Sequence, residues 1–68
     1  METQKQVLSP SLAAERLGLS ESTLAKMRLR GDGPSYIKLG VRRVGYLEKD
    51  LVGWVEARRF RSTSEYGQ

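Results

Sequence analysis

Apolar positions recur at helical spacing through the first thirty residues, then at a period of two, then at helical spacing again. Val7 and Leu8 lead into Ser9-Pro10, where a serine can cap free amides and a proline suits the first helical position. The spacing predicts a helix from there to about Leu17, with Ala13, Ala14 and Leu17 on one face. Gly18 supplies the left-handed residue that ends it. Ser20 caps a second helix, Glu21 to Arg30. Leu24 and Met27 point inward there, and Ser22, Ala25, Lys26 and Leu29 point outward. Gly31-Asp32-Gly33-Pro34 stops it.

The stretch "YIKLGVRRVGYL" alternates: Ile37 and Leu39 flank Lys38, and Val44 and Tyr46 flank Gly45, which predicts a hairpin turning at Gly40 to Arg42. A third helix follows, with Glu48 and Asp50 in its first turn and Arg58 and Arg59 in its last, matching the helix dipole. Its expected buried stripe is Leu47, Leu51, Trp54 and Val55, and Trp54 is assigned to the core. Gly53 weakens this helix by ~1 kcal/mol relative to alanine, so packing must retain it. "FRSTSEYGQ" has no period. The expectation is one domain over residues 7–59, mainly α with a small β-hairpin, and flexible tails at 1–6 and 60–68.

Two helices this short persist only by packing on one another. The three-residue corner "GLS" sets them at a steep angle, Ala13 and Ala14 permit close approach, and Leu17, Leu19, Leu24 and Met27 fill the wedge. This is the helix-turn-helix pattern, which presents the outward face of the second helix to a DNA major groove. An ordinary helical hairpin has the same spacing, so the placement of charge decides between them.

The chain's net charge of +4 is unevenly spread. Lys26 to Arg43 carries +5, residues 1–25 carry −1, residues 44–57 carry −2 and residues 58–68 carry +2. Neutralising phosphates is the commonest use of such a cluster, whereas a merely solvated surface mixes signs. Ser22 and Lys26 lie one turn apart on the outward face, within reach of base edges or phosphates. Arg28 and Arg30 flank the same helix as phosphate clamps, although either could pair instead with Asp32 or a carboxylate of the third helix. Arg42 and Arg43 at the hairpin tip suit a narrow minor groove or a phosphate, with Lys38 in support. Tyr36 and Tyr46 are expected to pack within the hairpin.

Taken together, "SPSLAAERLGLSESTL", "RGDGPSYIKLGVRRV" and "YLEKDLVGWVEARR" make Leu8 to Arg59 resemble the small winged helix-turn-helix proteins related to MerR. Within that group the chain is most similar to phage and mobile-element excisionases, the recombination directionality factors, and to AlpA-type regulators. The resemblance implies a recognition helix in the major groove and a hairpin wing beside it, acting on double-stranded DNA without catalysis. The function expected first is that of an excisionase, which binds an attachment site as several tandem copies, bends it and directs an integrase toward excision; the alternative is that of an AlpA-like relative, which regulates a promoter. The family often carries a basic residue where this chain has Glu21, an aromatic at Ala25 and an arginine at Gly45. Those departures shift the expected contact toward Lys26, Arg28 and the wing.

Other function classes find less support. With no cysteine and no histidine, the chain lacks the usual nucleophile, base and zinc ligands, and no Gly-rich loop precedes a helix, so neither an enzyme, a cofactor nor a metal site is expected. No small-molecule substrate is implied. A protein-interaction module, using Leu12, Val41, Phe60 and Tyr66, stays open as an alternative. "METQKQ" lacks the apolar core of a signal peptide and no run approaches a membrane span, so the expected location is the cytoplasm.

Overall fold

The computed structural model describes residues 6–62. Its elements run β1 (Val7–Leu8), α1 (Pro10–Leu17), α2 (Glu21–Arg30), β2 (Ile37–Lys38), β3 (Val44–Leu47) and α3 (Glu48–Glu56). The first two helices are bounded as their local signals dictate. The Ser9 hydroxyl accepts from the Leu12 amide and the Ser20 hydroxyl accepts from the Thr23 amide. Gly18 and Gly31 close the two helices at φ of 72° and 81°, where a side chain would be strained. The two helices pack on each other with Leu24 fully buried between them and Ala13 and Ala14 at the crossing. Met27 is half-buried rather than fully inward.

The expected hairpin is part of a larger sheet. β3 is the central strand of three, ordered β1-β3-β2 and antiparallel throughout, with Val7 opposite Leu47, Leu8 opposite Tyr46, and Ile37 opposite Gly45. The lead-in Val7-Leu8 is thus an edge strand that ties the start of the chain to the wing. The wing loop, Leu39 to Arg43, is closed by the Leu39 and Gly40 amides, which both donate to the Arg43 carbonyl at 2.8 and 3.2 Å. The buried core is Leu8, Ala13, Ala14, Leu24, Tyr46 and Leu51, with Leu17 and Val44 packed against it. It draws on every helix and on two of the three strands.

Helix α3 departs from expectation. Only Leu51 of the predicted stripe is buried; Leu47 and Trp54 are half-buried and Val55 is 45% exposed. Trp54 is not in the buried cluster. Arg58 instead lies over its ring, 4.2 Å from the centroid. The reason is geometric: among the described elements α3 packs chiefly on α1 and β3, where Leu51 is buried, and this leaves the turn carrying Trp54 and Val55 largely uncovered. The helix also stops at Glu56, so Arg58 and Arg59 fall beyond it instead of in its last turn. Arg59 pairs with Glu56 at 3.1 Å. Between α1 and α3 lies a shallow groove of 270 Å³ floored by Leu17, Leu51, Val52 and Val55 and rimmed by the Arg16–Glu48 ion pair. Phe60 and its two successors lie outside any helix or strand, and residues 1–5 and 63–68, with Tyr66 and most of the expected tails, lie outside the described residues.

Candidate nucleic-acid interface

Helix α2 packs on the rest of the molecule chiefly through α1, which leaves its far side open. Ser22, Lys26 and Leu29 occupy that side, Leu29 being 87% exposed. The Ser22 hydroxyl lies 3.3 Å from that of Ser20, beside the cap, so its position is fixed by the start of the helix. Lys26 extends from the same face. It has no carboxylate partner among the described residues.

The wing brings Lys38, Arg42 and Arg43 to the surface, all three exposed and, among the described residues, without an acidic partner. Val41 between them is 93% exposed, so the loop tip offers one apolar side chain among cations. Between α2 and the wing runs a groove of 470 Å³. Arg28, Arg42 and Arg43 line it, with Glu21, Ala25 and the start of α1 completing its walls. Three arginines against one carboxylate make the groove cationic, which suits a phosphate-bearing ligand.

Two arginines assigned to phosphate clamping turn out to be engaged within the protein. Arg30 donates from Nε to an Asp32 carboxylate oxygen at 3.1 Å, the alternative its sequence neighbourhood allowed. Both partners are more than half exposed or close to it, so water screens the pair and leaves Arg30 able to turn outward. Arg28 is different. It is half-buried, donates from Nη1 to the Tyr46 hydroxyl at 2.9 Å and lies 5.8 Å from the centre of the Tyr36 ring. Its head is therefore located by the sheet, although its stem belongs to α2.

Tyr46 is the residue that sequence reasoning missed here: it does not line the groove but holds Arg28, which does. Tyr46 was expected to pack in the hairpin, and it does so completely, but its hydroxyl reaches across to a helix eighteen positions earlier. No local pattern announces such a pair. Gly45 also changes meaning. It was expected to be a wing position that had lost a basic side chain, yet it is buried on the central strand, where a Cβ would come within 2.5 Å of a Val7 methyl and 3.1 Å of a Leu39 methyl. An arginine here would have to displace β1 before it could reach any ligand.

The described helices include none long and apolar enough to cross a membrane. No curated protein matches the chain. A family model described as prophage CP4-57 regulatory protein (AlpA) matches residues 12–59, a span that takes in most of α1, all of α2, the wing and α3. Because that span is well over half of the 68 residues and contains the whole of the cationic groove's helix and wing, the chain belongs to the AlpA family of prophage regulatory proteins.

Proposed function

We propose that the protein is a sequence-specific double-stranded-DNA-binding regulator of a mobile element, acting without catalysis. Helix α2 enters the major groove, with Ser22 and Lys26 toward base edges, while Arg42, Arg43 and Lys38 bring the wing against phosphates or the adjacent minor groove. The observation that carries this reading is the set of exposed cations without acidic partners among the described residues, Lys26 on α2 and Lys38, Arg42 and Arg43 on the wing, beside a groove lined by Arg28, Arg42 and Arg43. Membership in a family of prophage regulatory proteins supports promoter control as the first reading. Salt dependence is the primary test: if Lys26, Arg28, Lys38, Arg42 and Arg43 each neutralise a phosphate, log K against log[salt] falls with a slope of about −4 to −5. A slope near zero overturns the reading.

Excisionase action is the second reading, favoured by a specific feature. Leu12 and Val41 are exposed apolar residues on different elements, and α3, nine residues long, offers no extended helix for symmetric pairing within the described residues. Such surfaces suit tandem copies in head-to-tail contact along one side of a duplex, which would bend it and present it to an integrase. Footprinting on the element's own promoter and on its attachment site separates the two. Cooperative tandem protection and bending at the attachment site favour excision; a single footprint over the promoter favours transcription control.

A further inference from the structure

The groove between α2 and the wing holds three arginines, of which only Arg28 has its position fixed from below. Its anchor, Tyr46, is fully buried, and the phenol oxygen that accepts from Arg28 Nη1 is on the central strand of the sheet. Tyr36, whose ring centre is 6.3 Å from that of Tyr46, closes the other side of the guanidinium. A guanidinium has five N–H donors, and the Tyr46 bond uses one of them. The remaining donors belong to a side chain that already lines the groove, so the ordering cost of a flexible arginine is largely met before a ligand arrives. α2 otherwise meets the fold chiefly through α1, so this bond also couples the angle of the recognition helix to the wing.

We propose that this groove seats one backbone phosphate of the DNA, that Arg28 is its fixed donor with Arg42 and Arg43 closing over it from the wing, and that Tyr46 is the positioning residue that keeps Arg28 in place. The proposal rests on the DNA-binding reading. Glu21, seven positions before Arg28 on α2, lines the same groove and disfavours a phosphate beside its carboxylate.

The experiment uses a duplex selected by the wild-type protein from a random pool, with single phosphates replaced in turn by neutral methylphosphonates. For the wild type, one such replacement weakens binding by about tenfold. In Arg28→Met, which retains an apolar stem, that replacement has no further effect and the salt slope falls by about one. Tyr46→Phe leaves the charge, and hence the slope, unchanged but blunts the sensitivity to that one position, with the circular-dichroism spectrum of the folded protein retained. If Tyr46→Phe folds poorly, Arg28→Lys serves instead: a flexible ammonium lacks the rigid planar fork that holds the tyrosine and the phosphate in one fixed geometry, so the same position is blunted while the slope persists. Full wild-type sensitivity at every position in Arg28→Met overturns the site, and wild-type behaviour of the folded Tyr46→Phe or Arg28→Lys protein overturns the positioning role. Inorganic phosphate alone separates the possible sources of the anion. Arg28 side-chain resonances that shift as far with millimolar phosphate as with the duplex would overturn the DNA assignment, and weak shifts support it. Should the wild type select no duplex at all, the DNA reading falls and this proposal with it; loss of the position-specific pattern with binding intact removes this proposal alone.

Discussion

Helices α2 and α3 are nearly equal in length and each buries a single leucine, yet they are stabilised by different means. α2 begins at a serine whose hydroxyl accepts from a backbone amide and ends at a left-handed glycine, so both ends are satisfied locally. α3 begins at Leu47 with no side-chain bond to its first amides, carries a glycine in its middle and ends at Ala57 in ordinary helical geometry. What α3 has instead is attachment: it follows β3 without a loop, and Leu51 inserts into the common core. The helix that is proposed to touch DNA is therefore the one that defines itself, and the closing helix is shaped by what it packs on.

The sharpest test of that difference compares core with stripe. Leu24→Ala removes the residue that wedges α2 against α1 and should cost about 3 kcal/mol, read as a large drop in thermal midpoint by circular dichroism. Val55→Ala, at a position once counted in the buried stripe of α3, should stay within about 0.5 kcal/mol of wild type. Equal losses would mean that α3 is covered by something other than its single leucine.

The next effect in size probes the sheet that supports both helices. Gly45→Ala places a methyl group against Val7 and Leu39 and near the Leu8 carbonyl, and overpacking of this kind costs about 1–3 kcal/mol. Because Val7 lies at an edge and is 45% exposed, the strain is relieved by lifting β1. Faster amide exchange at Leu8 than at Leu24 in this variant would be the accompanying sign. An unchanged melting point would show that β1 is already loosely paired.

These residues also mark what the sequence could and could not convey. Ser9-Pro10, Gly18, Ser20 and Gly31 act on amides within four positions of themselves, so α1 and α2 were legible to the residue. β1 was not, because two residues have no period and their partners lie about forty positions away. The stripe of α3 was over-read for a related reason: a helical wheel reports which residues share a face, not whether an element exists to cover it. At the candidate site the exposed cations of α2 and the wing were visible as charge, since their disposition follows from local structure. The fixing of Arg28 by Tyr46 and the burial of Gly45 depend on how the sheet meets α2, a packing outcome that no short window encodes.

A smaller change tests the local closure of α2 alone. Ser20→Ala removes the oxygen that accepts from the Thr23 amide and also bonds the Thr23 hydroxyl at 2.8 Å. Its cost should be about 1 kcal/mol in chemical denaturation. Ser20→Asp, which restores an acceptor, should recover most of it. A loss in Ser20→Ala that Ser20→Asp fails to recover would point to packing at the corner instead of capping.

The smallest expected effect has the opposite sign and falls on α3. Gly53 lies inside that helix, is exposed, and has open space where a Cβ would be added, with no neighbour within 4 Å. Its backbone is not in the left-handed region, so alanine adopts the same conformation without strain. Glycine in a helix interior costs about 0.5–1 kcal/mol relative to alanine, chiefly because the unfolded chain has more freedom to lose. Gly53→Ala should therefore stabilise the protein by about that amount, raising the denaturation midpoint without altering the slope of the transition. The corresponding gain is closed to Gly31 at the end of α2, where φ of 81° makes alanine unfavourable, so Gly31→Ala should destabilise. Opposite signs at two glycines with equally open surroundings would establish that α2 depends on backbone geometry at its boundary, while the glycine of α3 is a removable weakness. A destabilising Gly53→Ala would mean instead that α3 needs to flex at its middle turn, and the contrast between the two helices would then lie in their dynamics.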